Sequence, residues 1–151
     1  MKAAFDVLKK SRILTLKVIN GLTMEQLNTT PKGFNNNIVW NIGHLVVTQQ
    51  LLCYKLSGLE CGVSNEMITN FQKGSAPNYV VSEEQFEKLK KLFIELSVKL
   101  EEDYNKGVFK QYNEYATSVN ITLTNISEAV AFNNYHEGIH LGILLQLKKL
   151  V

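Results

Sequence analysis

The chain has 151 residues, 45% hydrophobic and 20% charged, with two prolines; a chain of that length buries roughly 70% of its unfolded surface, which excludes a disordered or low-complexity protein. Sixteen basic and fourteen acidic side chains leave a net charge of +2, with lysines scattered among glutamates, so no basic stripe marks a nucleic-acid partner. Asp6, Lys9, Lys10, Arg12 and Lys17 interrupt the start of the chain, which argues against a signal segment or membrane span and for one cytoplasmic domain over 1–151.

Taken in chain order, the first element is a helix over 2–20, with apolar residues at Phe5, Leu8, Ile13, Leu16 and Ile19, ended by Gly21. Gly, Thr, Asn and Pro then make a connection up to Asn36 and Asn37, which are placed to cap a second helix from about 38 to 57. That helix is apolar nearly all round, as a helix enclosed by others must be. Residues 58–81, with Gly62, Gly74, Pro77, Phe71 and Tyr79, read as a long irregular loop and candidate lid.

Ser82-Glu83-Glu84-Gln85 has the form of a capping box, and Phe86, Leu89, Phe93, Leu96 and Leu100 recur behind it at helical spacing to about 106. Residues 107–123 alternate apolar and polar at Val119, Ile121 and Leu123, which suits either a short extended piece or a linker. Asn125, with Glu128 three residues on, opens a last helix running toward 151. Four amphipathic helices imply an all-α four-helix bundle with a long loop between helices two and three.

The chemistry-bearing residues are the three histidines. His136 and His140 stand at i, i+4, where about 100° per residue puts both rings on one helix face, roughly 6 Å apart and close enough to share one ion. His136-Glu137-Gly138-Ile139-His140 also fits the H-E-x-x-H pattern of zinc proteases, in which the glutamate is the general base. Such enzymes take a third ligand downstream, yet residues 141–151 contain no Glu, Asp or His.

A third ligand must therefore come from upstream, and His44 is the remaining histidine. Three histidines and an open position make a catalytic type of site. Asn37, Asn41, His44 and Thr48 form a polar stripe on the second helix, with the amides and hydroxyl placed to orient the rings. Asn133 and Tyr135 are further candidates of that kind. Glu137, about 100° round the helix from His136, is the nearest general base, with a solvated surface charge as its competing reading. Cys53 points away from His44 as a small buried hydrophobe, Cys61 falls in the loop, and both are expected to be free thiols.

Gly138 and Gly142 leave a smooth strip for close helix packing. Leu141, Leu144, Leu145, Leu147 and Leu150 cover more of the last helix than one buried face needs, which points to a homodimer.

Asn37-Ile38-Val39-Trp40-Asn41-Ile42-Gly43-His44-Leu45 and Tyr135-His136-Glu137-Gly138-Ile139-His140-Leu141-Gly142 together resemble the DinB-like (DinB/YfiT) superfamily. The resemblance implies an up-down-down-up bundle, often dimeric. It implies one divalent ion on His44, His136 and His140, zinc or nickel foremost, with iron and manganese also suited to imidazole. Its assigned relatives are mainly transferases and isomerases that use a low-molecular-weight thiol. The resulting expectation is a metal-dependent transferase or hydrolase acting on a small molecule. A non-catalytic metal-binding or ligand-binding stress-related bundle is the alternative, and an H-E-x-x-H protease the third reading.

Overall fold

The computed structural model describes residues 1–151. Six α-helices follow one another: α1 (Lys2–Ile19), α2 (Met24–Asn28), α3 (Ile38–Cys53), α4 (Asn65–Phe71), α5 (Glu83–Asn105) and α6 (Ile126–Leu147). A 3-10 turn at Lys55–Ser57 extends α3, and strands β1 (Tyr115–Ala116) and β2 (Thr122–Leu123) form a small antiparallel hairpin. No helix is long and apolar enough to cross a membrane.

The local signals act where the sequence places them. The Asn37 side chain accepts from Trp40 N at 2.8 Å and so caps α3. Ser82 and Gln85 form a reciprocal capping box on α5, which satisfies two donors left unpaired at a helix start. Asn125 Oδ1 accepts from Glu128 N at 3.0 Å, whereas the Glu128 carboxylate reaches back to Thr124 N and Oγ1 rather than to the cap residue.

Cross-helix bonds fix the directions of the four long helices. Lys9 pairs with Glu101 and Arg12 donates to Phe93 O, so α1 and α5 run antiparallel. Asn134 donates to Ala4 O, and Lys148, just past α6, to Val18 O, so α1 and α6 are parallel. Gln49 donates to Leu96 O and Tyr54 to Asp103, so α3 and α5 are parallel, while Asn41 and His44 meet His140 and His136 on an antiparallel α6. The order is up-down-down-up. Parallel neighbours cannot be joined by a tight turn, so the chain must return along the bundle between α3 and α5, and residues 54–82 do so.

The core has two apolar halves. Ile19, Ile38, Ile42, Phe93 and Leu144 are among those that fill one; Phe5, Leu8, Leu52, Leu100 and Val130 are among those that fill the other. Between them, each long helix contributes buried polar groups: Arg12 from α1, Gln49 from α3, Ser97 from α5, Asn133 and Glu137 from α6.

Several expectations are corrected. The buried face of α1 is Phe5, Leu8, Arg12, Thr15 and Ile19, while Ile13 is 48% exposed. Steps of three and four from Phe5 land on Arg12, and its charge is admitted because Glu137 meets it. The second long helix stops at Cys53 rather than continuing to 57. The 58–81 segment is not wholly irregular: Ser64 caps α4 inside it. Of the two readings of 107–123, the short extended piece holds: the segment contains the hairpin, which buries Leu123 but leaves Val119 and Ile121 exposed. Gly138 and Gly142 meet no neighbour, since a Cβ at either would have nothing within 4 Å.

Candidate metal centre

α3 carries His44 on its inner side and α6 brings His136 and His140 against it. Candidate ligand atoms of the three rings lie within 4.8 Å of one another. His44 Nε2 and His136 Nε2 are 3.2 Å apart. Two ligand nitrogens at about 2.05 Å from a common ion stand roughly 2.9–3.4 Å apart for angles of about 90–110°, so this spacing suits a shared cation.

Hydrogen bonds set which nitrogen of two rings is free. His44 Nδ1 lies 2.7 Å from Phe71 O, a carbonyl that can only accept, so Nδ1 carries the proton and Nε2 keeps its lone pair. Asn41 donates through Nδ2 to Asn37 O at 2.7 Å, which turns its Oδ1 toward His140 Nδ1, also at 2.7 Å. His140 therefore donates there and keeps its Nε2 lone pair. His136 Nδ1 is buried and has no partner, so helical spacing from His140 places that ring. Two lone pairs meeting at 3.2 Å repel unless a proton or cation lies between them. A single cation can satisfy all three rings, whereas one proton satisfies one pair.

Burial discourages the charged imidazolium. It lowers the His44 pKa against the raising effect of the Phe71 carbonyl. It brings His136 down to about 3, with His140 and His44 adding to the effect. Burial, then His44, brings His140 down to about 4. All three rings are neutral at pH 7, the form that binds metal.

Surrounding groups hold the arrangement. Trp40 stacks on His44 with ring centroids 4.6 Å apart and planes 10° from parallel, while its Nε1 donates to Ser75 Oγ. Gly43 lets Phe71 lie directly on α3, because a Cβ there would strike the Phe71 ring. Thr48 Oγ1 is 3.3 Å from His44 Nε2. A cavity of about 260 Å³ opens beside Thr48, His44 and His136, walled in part by the 3-10 turn, the segment after α4 and the hairpin.

Of the expected polar stripe, Asn41 orients a ring directly, Asn37 anchors Asn41, and Thr48 stands at the cavity edge. The Phe71 carbonyl was not legible as a partner; the trace it leaves in sequence is Gly43 immediately before His44. Asn133 and Tyr135 are elsewhere: Asn133 donates to Glu137, and Tyr135 is exposed.

Glu137 is neither beside the three histidines nor a solvated charge. It is 3% exposed and bound by Arg12 through Nη2 at 2.7 Å and Nε at 3.1 Å, with Asn133 Nδ2 at 2.9 Å. Arg12 Nη1 continues to Phe93 O at 2.6 Å, and its guanidinium lies over the Phe93 ring. The glutamate of the H-E-x-x-H pattern thus ties α1, α5 and α6 together. Cys53 is fully buried, which pushes its thiol up to about 12, and burial also raises Cys61; neither is a thiolate at neutral pH.

The sequence profile of the DinB superfamily matches residues 8–144, a span that includes all three histidines. The chain belongs to the DinB superfamily. No protein of curated function matches it. As a DinB-superfamily member it is an all-α protein whose three histidines form a cluster able to hold a metal ion.

Proposed function

We propose that this protein is a metal-dependent enzyme, of the transferase class before the hydrolase class, with His44, His136 and His140 as the ligands of one divalent ion. Zinc and nickel head the choice of metal, with iron and manganese next, because imidazole suits all four. The observation that carries the reading is the convergence of three neutral imidazoles, two of which, His44 and His136, line an open cavity. A structural site closes its coordination sphere with protein, whereas a catalytic one leaves a position free. When bound, such an ion lowers the pKa of a coordinated thiol or water enough to supply a nucleophile near neutral pH.

The chain's own residues orient and exclude. Asn41 and the Phe71 carbonyl hold two rings in the ligating tautomer, and Trp40 covers one face of His44. Thr48 Oγ1 can donate a hydrogen bond to a bound molecule at the cavity edge or accept one from it. No Asp or Glu lines the cavity, so no carboxylate base stands ready to activate water. This favours a low-molecular-weight thiol co-substrate, acidic enough when coordinated to lose its proton to solvent water without a carboxylate base, and it disfavours the protease reading.

Elemental analysis after mild purification should find close to one divalent ion per chain, and His44→Ala, His136→Ala and His140→Ala should each lose most of it. Thiol transfer to small electrophiles should follow the metal in loaded and stripped protein. Full metal retention by His44→Ala would overturn the three-histidine site. Metal without any transfer would favour the non-catalytic bundle.

A further inference from the structure

The cavity beside His44 and His136 has a charge pattern that metal binding does not use. Its volume of about 260 Å³ equals roughly nine waters at about 30 Å³ each, which suits a small molecule of about ten non-hydrogen atoms. Leu51, Leu52 and Phe132 supply apolar wall; Lys55, Lys73 and Tyr115 supply polar wall. Neither lysine is paired with a carboxylate anywhere in the protein. Lys55 comes from the 3-10 turn after α3 and Lys73 from the segment after α4, so two separate elements bring like charges to one opening. Like charges gathered in a partly apolar cleft, with no acidic group to balance them, focus a positive field into it. Three neutral histidines leave the charge of a divalent ion uncompensated at the same cavity.

We propose that the cavity binds a small organic anion: a carboxylate carried on an apolar chain, with the carboxylate at Lys55 and Lys73. The chain lies against Leu51, Leu52 and Phe132, and the far end of the molecule reaches His44 and His136 of the histidine cluster. The proposal rests on the metal-dependent reading above and adds the class of molecule that the site selects. It also gives the two irregular connections a task, since the segment after α4 carries Lys73 and the hairpin carries Tyr115.

Two probes of equal length separate the anionic end from the metal-seeking end: 5-mercaptopentanoate and the neutral 5-mercaptopentanol. Zinc-loaded full-length protein is titrated with each by calorimetry, alongside Lys55→Met, Lys73→Met and the double variant, which keep the apolar stems of two exposed residues. The carboxylate should bind at least tenfold more tightly than the alcohol, and the double variant should close that gap while zinc content, measured in parallel, stays at the parent's value. Equal affinities in the parent, or a preference that survives the double variant, would overturn the anion proposal and leave the metal reading standing. Protein that takes up no zinc would overturn both.

Discussion

Glu137→Gln separates two roles for the glutamate of the H-E-x-x-H pattern. The structure buries Glu137 at 3% exposure against a fully buried Arg12, with Arg12 Nη2 to Glu137 Oε1 at 2.7 Å. Breaking a buried ion pair by neutralising one partner typically costs about 3–5 kcal/mol, because the other charge stays in the core. Glutamine keeps one acceptor for Arg12 and Asn133, so the expected loss is at the lower end, about 3 kcal/mol. For a domain of this size each kcal/mol moves the melting midpoint by about 2–4 °C, which predicts a fall of roughly 6–12 °C. Melting by circular dichroism on metal-free protein measures it, and elemental analysis of zinc-loaded samples should show unchanged metal content. A double change, Arg12→Met with Glu137→Leu, should lose less than the two single changes added together, since it leaves no orphaned charge. An unchanged midpoint together with lost activity or lost metal would refute the reasoning and return Glu137 to the metal site.

Three further outcomes are expected. Asn41→Leu should weaken zinc binding by about 10–100-fold in competition with a chelator, as loss of a partner behind a ligand ring commonly does, and Asn41→Asp, which still accepts from His140, should recover most of it. Metal-free protein should lose stability as pH falls from about 6.5 toward 4, because the unfolded chain protonates its histidines in a range where His136 and His140 stay neutral. The loss between pH 7 and 5 is at most about 2 kcal/mol per histidine, and His136→Gln with His140→Gln should remove it; equal acid sensitivity in that variant would contradict the assignment. Light scattering should find a homodimer of about 34 kDa, twice the 17.1 kDa chain, since Tyr135, Ile139 and Leu145 of α6 stay uncovered within one chain. A 17.1 kDa species alone at micromolar concentration would remove that proposal.

What the sequence made legible was local or counted. Ser82 with Gln85, and Asn125 before α6, announce helix starts because the bonds they make span three residues. The histidine cluster could be read because His136 and His140 share a helix face, and because the remaining histidine lies on a polar stripe of an otherwise apolar helix. The Arg12 and Glu137 pair spans 125 positions, so nothing near either residue signals the other. Arg12 then looks like surface, and the neighbouring Ile13 looks like core. Thr23 with Gln26 and Ser64 before α4 did carry cap signatures, but helices of five and seven residues leave too short an apolar period to stand out from loop. The cavity walls come from four separate stretches of chain, and only the fold assembles them.

The up-down-down-up order also sets when the parts can meet. α6 is synthesised after α1, α3 and α5, yet it lies against both α1 and α3. Until it emerges, Arg12 has no carboxylate to enter the core with, and His44 has no second imidazole to chelate with. The two apolar halves of the bundle and the histidine cluster therefore close in the same late event. A nascent chain that ends before His136 offers a passing ion a single ligand. Capture of an ion by the three histidines would therefore wait for α6 to be completed.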